Sequence, residues 1–360
     1  MNFKTQKRII KVSSILLAFI CFTMLFQTLV KAGYDLDSRQ LWPLLPSSEA
    51  EVLVLEYHSI TDIPEGAKYP DLYVPKDAFN KQLQALYDAG LVGISFIDAV
   101  SQMKAGNYNM GNVVITFDDG YSDNYWASQK LNFMKFGGTF YIPTEFPNKS
   151  FKEKNIFYLT WDEIRNIFGM GFEIGSHTVN HVDLALCNES KVKYEIEQSK
   201  RDIQVQLEKV EDSRPKIPLT FSIPMGSYTS AIIEEIEKYG FEGCVTSNPG
   251  LMTIETIQKA PRIKMLKDSN MSNILSYYLR RNLKKEGEIK KGSKSQRIKC
   301  FRTMLTRLGY PLTDSDYFDE KMEKSVSEYQ KQFSLKECGI LNTSTIDRIV
   351  SDFIDLVLEK

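Results

Sequence analysis

Short apolar runs and amphipathic helical segments alternate along the chain from residue 51 onward, and this alternation limits the fold more than any other feature. The apolar runs, which predict strands, are 51–57, 112–117, 138–143, 172–175, 219–224 and 243–247. The segments between them that suit helices are 75–90, 122–136, 160–169, 188–209 and 229–239. Strands that alternate with helices pair in parallel, so the pattern predicts an α/β fold, either a β/α barrel or an open sheet.

Two adjacent aspartates end the strand at 112–117, and a glycine follows them. Gly120 allows a sharp backbone turn that brings both carboxylates to the end of the strand, which is where parallel α/β folds place their active sites. Two carboxylates that close repel each other unless a cation or an arginine compensates them. Asp118 and Asp119 therefore predict a metal site, although a turn with solvated aspartates also fits the residues.

Two of the three histidines of the chain, His177 and His181, lie four residues apart, just after another predicted strand. On one helical turn or in a tight loop, both imidazoles can reach a single ion. Asp119, His177 and His181 then form a site with two histidines and one carboxylate. Three protein ligands leave positions open for water and substrate, which is typical of catalytic metal sites.

The two motifs, TFDDG at 116–120 and SHTVNH at 176–181, together resemble those of the polysaccharide deacetylases of carbohydrate esterase family 4, over residues 51–270. The resemblance implies a distorted (β/α) barrel and a divalent metal, most often Zn²⁺. It also implies removal of acetyl groups from N-acetylated sugars in chitin, peptidoglycan or poly-N-acetylglucosamine. By motif, Asp118 is the general base, and Asp119, His177 and His181 are the metal ligands.

This chemistry suits these residue types. A bound metal polarises the acetamide carbonyl and lowers the pKa of a water molecule on it, which serves as the nucleophile. Asp118 takes the proton of that water, and a backbone N–H together with the metal stabilises the oxyanion. An acid must then protonate the leaving amine.

The third motif departs from the family pattern, in which an arginine precedes a Pro-Tyr pair. The segment FSIPMGSY, 221–228, keeps Pro224 and Gly226 but lacks the arginine and has Met225 in place of the aromatic residue. We predict that the backbone N–H of Met225 serves the oxyanion and that Pro224 lies beside the substrate. The family's late histidine is also absent, because no histidine follows His181.

An early histidine offers a replacement for the missing acid. The segment LEYHSI, 55–60, resembles the subgroup of poly-N-acetylglucosamine deacetylases, in which this histidine is the acid, so the resemblance implies that role for His58. Arg262, near the last strand, is our candidate for the arginine that holds Asp118. The alternatives are a histidine satisfied at the edge of the core and an arginine in a surface ion pair.

Four aromatic residues near the predicted strand ends are candidates for a sugar-binding groove. They are Tyr57, Tyr121, Trp126 and Trp161. Aromatic side chains are also common in α/β cores, so packing is the alternative for each of them.

The N-terminus predicts a membrane segment. Basic residues at 4, 7, 8 and 11 precede 19 uncharged residues, 12–30, which is close to the length that a helix needs to cross a bilayer. We predict a cytoplasmic stretch 1–11, a transmembrane anchor 12–30 and a spacer 31–50, with the rest of the chain outside the cell membrane. A signal peptide cleaved after the small residues near 32, followed by secretion, is the alternative.

The C-terminal part predicts a second, all-helical domain of three helices. Residues 51–283 form the predicted deacetylase domain, 284–297 form a basic, solvated linker, and 298–357 resemble the three-helix peptidoglycan-binding domain through Leu308-Gly309-Tyr310, Val326, Tyr329, Gln330 and Gly339. The alternatives are a basic site for an anionic polymer or membrane at 284–297, and a helical dimerisation module at 298–357.

Net charge and cysteine spacing exclude other classes. A net charge of −1 argues against nucleic acid as a partner, and five cysteines without CxxC spacing predict neither a disulfide framework nor a zinc finger. We therefore predict a membrane-tethered, metal-dependent N-deacetylase of an extracellular glycan. A non-catalytic glycan-binding protein on a similar barrel and an amidase of another substrate are the rivals.

Overall fold

The computed structural model describes residues 42–151 and 156–359. Its strands are β1 Leu44–Pro46, β2 Val54–Tyr57, β3 Val92–Ile94, β4 Asn107–Asn109, β5 Asn112–Phe117, β6 Thr139–Ile142, β7 Ser150–Phe151, β8 Ile156–Phe157, β9 Glu173–Ser176, β10 Thr220–Ser222, β11 Gly243–Pro249 and β12 Ala260–Lys264. Its α-helices are α1 Lys76–Asp88, α2 Phe96–Lys104, α3 Asn124–Phe133, α4 Trp161–Gly169, α5 Glu189–Leu207, α6 Ser230–Lys238, α7 Met271–Leu283, α8 Gln296–Arg307, α9 Glu320–Gln332 and α10 Thr343–Leu358.

Seven parallel strands close into a barrel in the order β2-β12-β11-β10-β9-β6-β5. The ring closes where β2 pairs with β5, from Val54 opposite Val114 to Tyr57 opposite Phe117. The short strand β3 pairs with the first half of β5, outside this ring. The predicted (β/α) barrel is thereby confirmed, and the open sheet is excluded.

The barrel forms because apolar strands alternate with helices along the chain. In β5, five of the six residues are buried, and Phe117 stacks on Phe140 of β6 with ring centroids 4.7 Å apart. Side-chain caps begin several of the surrounding helices; for example, the Thr160 side chain and Glu163 form a reciprocal capping box at the start of α4. A capped helix starts at a defined point, and the helices return the chain to the next parallel strand.

The parallel arrangement brings the residues that follow β2, β5, β9 and β10 to one end of the barrel. His58, Asp118, His177 and Ile223 are the first residues after these strands. Since all the strands run in the same direction, their carboxyl ends meet at this end, as in other β/α barrels.

The three C-terminal helices α8, α9 and α10 pack on the barrel, and Leu41–Lys360 form one compact unit. Their buried residues belong to the same hydrophobic cluster as the barrel strands. Trp42, at the start of the described chain, contacts Phe353 of α10 edge-on, with ring centroids 6.2 Å apart. The predicted helical domain is thus present, and it shares a core with the barrel.

Most residues of the segment 284–297 are exposed, and two of them are buried. Ile289 is buried and exchanges two backbone hydrogen bonds with Leu341, at 3.2 and 2.9 Å. Arg297 is also buried, and its guanidinium lies 2.7 Å from the carboxylates of both Glu49 and Glu286. Glu49, which is distant in the sequence, and Glu286, which lies in the segment itself, therefore neutralise the charge of Arg297, and the contacts of Ile289 and Arg297 hold this stretch against the rest of the molecule.

The predicted anchor at 12–30 lies outside the described residues. Among the helices that the structure describes, none combines the length and the hydropathy that crossing a bilayer requires.

Candidate metal and catalytic centre

A tight turn places the two aspartates at the mouth of the barrel. The backbone N–H of Asp118 donates to the carbonyl of Tyr57, which extends the pairing of β5 with β2 by one residue. Asp119 and Gly120 then both adopt left-handed backbone conformations, with φ of 71° and 64°. A β-carbon at Gly120 would lie 3.2 Å from the Ile142 side chain, so the turn is tight as well as left-handed. The expected sharp turn is present, and it includes Asp119 itself.

Asp119 meets the two histidines of the second motif. Its Oδ1 atom lies 3.3 Å from Nε2 of His177 and 3.0 Å from Nε2 of His181. His177 follows β9 directly and is buried, whereas His181 stays partly exposed. The structure thus brings together one carboxylate and two imidazoles from segments nearly sixty residues apart in the sequence.

The donor set fits a cation. Nδ1 of His177 lies 2.8 Å from the carbonyl oxygen of Ser222, which can only accept, so Nδ1 carries a proton. In the neutral ring, Nε2 then offers a lone pair toward Asp119. The Oδ1 atom of Asp119 is buried and has no hydrogen-bond partner among the described residues. Lone pairs that converge in this way can hold a cation, and a set of nitrogen and oxygen donors of this kind suits Zn²⁺.

Asp118 forms a buried ion pair with Arg262 of β12. Two guanidinium nitrogens of Arg262 lie 3.0 and 2.7 Å from the two carboxylate oxygens, and the Ser222 hydroxyl donates to Oδ2 at 3.1 Å. Burial raises the pKa of Asp118, but the charge and hydrogen bonds of Arg262, together with the nearby His177 and His58, lower it more, so the pKa lies below the usual range of an aspartate. Asp118 is therefore ionised and able to accept a proton. The predicted partnership of Arg262 with Asp118 is present in this geometry.

His58 lies beside a second buried carboxylate. Its Nε2 atom is 3.8 Å from Oε1 of Glu56, and Oε2 of Glu56 is 3.3 Å from Nε of Arg262. Possible ligand atoms of Glu56, His58 and Asp118 all lie within 4.8 Å of one another. The predicted acid, the predicted base and their charged partners therefore form one continuous network at the end of the barrel.

Two family models match the chain. Residues 105–244 match the polysaccharide deacetylases, and residues 294–349 match a peptidoglycan binding domain. The protein YxkH of Bacillus subtilis (strain 168), named as a polysaccharide deacetylase, is 28% identical over 220 residues, which are 59% of this chain and 70% of YxkH.

The chain contains a polysaccharide deacetylase domain, followed by a peptidoglycan binding domain.

Solved structures share the fold of the deacetylase domain. The deacetylase PplD of Streptococcus pyogenes, in complex with acetate, aligns with a TM-score of 0.55 and 23% identity over 64% of this chain and 98% of its own. IcaB from Ammonifex degensii aligns with a TM-score of 0.52 and 18% identity over 61% of this chain and 94% of its own. At these identities the comparisons establish the architecture of the barrel.

Several polar residues of the deacetylase domain that sequence reasoning missed hold the site in place. The Asp123 carboxylate accepts from the Ser59 hydroxyl and from the backbone N–H of Ile60, at 2.6 and 2.7 Å. Asn124 donates to the carbonyl of His58 at 2.7 Å. Asp123 and Asn124 lie a few positions after the aspartate pair, so the residues just after the first motif also fix the loop that carries His58.

Glu56 was missed as well, although a signal for it exists. It is the one acidic residue inside the apolar run 52–57. A carboxylate in the middle of a buried strand is unfavourable unless it is paired, so its position alone indicates a buried partner.

Of the aromatic residues predicted to line a groove, Tyr57 is in the core. It is fully buried, it packs between Phe79 and Phe117, and its hydroxyl donates to Gln82 at 3.0 Å. The prediction of a substrate contact for Tyr57 is therefore wrong, because a side chain on a barrel strand at this depth has no access to a glycan.

The other aromatic residues differ in their surroundings. Tyr121 stacks on Tyr158 with ring centroids 5.6 Å apart, and the negative charge of Asp119 adds to burial in raising its pKa. Trp161 is the first residue of α4 and packs half-buried against the core, and Trp126 packs on Phe79. Tyr121 is thus beside the site, whereas the two tryptophans have core contacts.

The third motif forms a short turn with an exposed tip. Pro224 is buried and begins a 3-10 turn, in which Met225 has φ of 60° and an exposed side chain. Gly226 follows, also left-handed, and donates its N–H to the carbonyl of Ile223. This turn comes two residues after Ser222, which contacts both Asp118 and His177. The roles of Pro224 and Met225 stay predictions.

Proposed function

We propose that the protein is a metal-dependent N-deacetylase of an extracellular glycan that contains N-acetylglucosamine. The observation that carries the proposal is the convergence of Asp119, His177 and His181 beside the ionised, arginine-bound Asp118. A set of ligands for a divalent metal next to a carboxylate base is an arrangement that can hydrolyse an unactivated amide.

Asp118 is the proposed base. Two hydrogen bonds from Arg262 and one from Ser222 hold its carboxylate, so it is ionised and oriented before substrate binds. When water attacks the acetamide carbon, Asp118 accepts the proton that the water releases. Asp119, His177 and His181 would hold a divalent cation, Zn²⁺ in our proposal, which would supply Lewis acid chemistry.

His58 is the proposed acid, and the backbone N–H of Met225 is the proposed hydrogen-bond donor to the oxyanion. Breakdown of the tetrahedral species releases acetate and leaves a free amine on the sugar, which needs one proton. His58 lies in the same network as Asp118, with its Nε2 atom 3.8 Å from Oε1 of Glu56.

We choose the glycan from the nature of the C-terminal domain and from the proposed location of the barrel outside the cell membrane. A peptidoglycan binding domain on the same compact unit as the barrel raises the local concentration of wall polymer, which supports peptidoglycan as the substrate. Poly-N-acetylglucosamine is the second candidate, because the early histidine resembles that subgroup. We further propose that residues 12–30 anchor the protein in the cell membrane with the barrel outside.

Acetate release tests the proposal. The full-length protein is incubated with purified peptidoglycan and, separately, with poly-N-acetylglucosamine, each with and without a chelator. We expect acetate from peptidoglycan, loss of release with the chelator, and recovery on addition of Zn²⁺. Binding to either glycan without acetate release would instead indicate a non-catalytic binding protein, and release that is indifferent to the chelator would contradict the metal site.

A further inference from the structure

The loop that carries both histidines is bent in a way that its sequence does not favour. Thr178 and His181 have φ of 66° and 54°, in the left-handed region that residues with side chains rarely adopt. Thr178 is β-branched, which makes this conformation still less favourable. Since the two imidazoles converge only when the loop is bent, other contacts must hold it.

A buried carboxylate on the neighbouring helix supplies these contacts. Glu195, in the middle of α5, is fully buried. Its Oε2 atom accepts from the backbone N–H groups of Val179 and Asn180 at 2.8 and 2.9 Å, and its Oε1 atom accepts from the Asn180 side-chain amide at 2.8 Å. Three of its contacts thus go to the two residues between Thr178 and His181.

The opposite side of the loop is bound to the barrel. The carbonyls of Thr178 and Val179 accept from the backbone N–H groups of Thr144 and Glu145, at 3.1 and 3.0 Å. The Thr178 hydroxyl accepts from the N–H of His181 at 2.9 Å. The loop is therefore held between α5 and the residues that follow β6. Glu195 is the charged group among these contacts.

We propose that Glu195 is a positioning residue that presets the loop 177–181 for metal binding. It touches neither the histidine rings nor Asp119 in the structure, so it acts through the backbone between the two ligands. An ionised carboxylate accepts from all these donors at once, which an amide of the same size does not, because one of its two terminal groups is itself a donor. The inference rests on the proposed metal site.

A burial argument separates this role from simple packing. A buried charge is unfavourable unless hydrogen bonds satisfy it, and an apolar side chain would fill the space on α5 more easily. Apart from Lys191 one turn earlier, at 2.7 Å, the hydrogen-bond donors of Glu195 all come from the histidine loop. Lys191 thus pairs with the charge of Glu195, and the other hydrogen bonds of the carboxylate all go to the loop.

The test compares Glu195→Gln with Glu189→Gln, the same substitution at an exposed position of the same helix. Zn²⁺ is titrated into each metal-free, full-length protein, and the Kd is measured by competition with a chromophoric chelator. We expect Glu195→Gln to bind Zn²⁺ about 10- to 100-fold more weakly, the usual effect of removing a group that orients metal ligands, and Glu189→Gln to match the wild type.

A second readout distinguishes positioning from catalysis. Because Glu195 contacts no reacting group, we expect saturating Zn²⁺ to restore the kcat of Glu195→Gln to near the wild-type value. A folded Glu195→Gln protein with the wild-type Kd overturns the inference, and so does a kcat that stays low at full metal loading.

Two further outcomes are decisive. If Glu195→Gln does not fold, Asn180→Ala, which removes one of the contacts to Oε1, is titrated instead. We expect binding at least severalfold weaker, and wild-type affinity overturns the inference. If the wild-type protein itself binds no Zn²⁺, the proposed metal site fails and the inference fails with it. If the wild-type and the variant protein bind Zn²⁺ equally tightly, the inference fails but the proposed function stays intact.

Discussion

Asp118 is a buried carboxylate whose charge is stabilised by one arginine. If it is the base, Asp118→Asn removes the proton acceptor but keeps the shape of the side chain and leaves Asp119, His177 and His181 in place. We expect acetate release to fall by about 10²- to 10⁴-fold, the usual contribution of general base catalysis. Zn²⁺ binding is expected to persist, which calorimetric titration of the same variant measures.

Asp162→Asn is the matched control for this variant, because Asp162 is an exposed aspartate of the deacetylase domain, on α4. It should retain wild-type activity and wild-type metal affinity. An Asp118→Asn protein that turns over at the wild-type rate removes the base role, and one that has lost Zn²⁺ shows that Asp118 belongs to the ligand set.

We expect Arg262 to set the pH above which Asp118, the proposed base, is ionised. Burial raises the pKa of Asp118 and Arg262 lowers it, so the arginine keeps the base ionised to lower pH. In Arg262→Gln the effect of burial remains and the lowering is lost. We therefore expect the acid limb of the kcat/KM profile to move to higher pH by about 1–3 units. An acid limb at its wild-type position would show that Arg262 does not tune the base, and Arg201→Gln, at an exposed arginine on α5, is the control.

At the residue scale, the candidate metal ligands could be predicted because each of them lies in a short motif. Asp119 belongs to a pair of adjacent aspartates, and the two histidines are closely spaced, and both patterns are conspicuous in any sequence. Glu195 was missed because a single glutamate in a helix looks like any other. Its importance depends on which backbone groups face it, and that is decided by the fold.

At the scale of elements, the strands of the barrel were predictable and the docking of the C-terminal helices was not. Runs such as 112–117 are mostly apolar, and the aspartate pair with Gly120 marks the end of this one. The contacts of α10 join residues that are distant in the sequence, including Trp42 with Phe353, and Arg280 of α7 with Asp347 of α10. Sequence periodicity shows that α10 has an apolar face, but not which surface covers it.

Phe353 tests that docking. Its side chain is buried on α10 and lies edge-on to Trp42, which precedes the barrel. Truncation of a buried phenylalanine usually costs about 3–5 kcal/mol, so we expect Phe353→Ala to lower the free energy of unfolding by that amount. Urea unfolding followed by circular dichroism measures it.

Leu356→Ala, at a more exposed position of the same helix, is the control for Phe353→Ala and should change the free energy of unfolding by less than about 1 kcal/mol. If the two variants are equally stable, α10 does not depend on the Trp42 contact, and its docking against the start of the described chain contributes little.

At the scale of the whole molecule, the barrel and the helical domain share one hydrophobic cluster, and ion pairs such as that of the buried Arg297 with the partly exposed Glu49 join them. A wall-binding module on a flexible tether would bring the enzyme near its substrate but leave its orientation free. A docked module fixes the direction in which the barrel mouth faces the polymer. The helical domain is therefore expected to contribute to the stability of the catalytic unit as well as to wall binding.

A chain that ends after Lys285 tests this expectation. The cut removes α8, α9 and α10 and exposes apolar side chains of α7, each of which contributes about 1.5–3 kcal/mol when buried. Since a whole domain is stable by only about 5–15 kcal/mol, exposing several such side chains is enough to unfold it. We expect the shortened protein to aggregate on size-exclusion chromatography, and the full-length protein to unfold in a single calorimetric transition. A soluble, monomeric and active shortened protein would show that the barrel is independent and that the helical domain acts only as a wall-binding module.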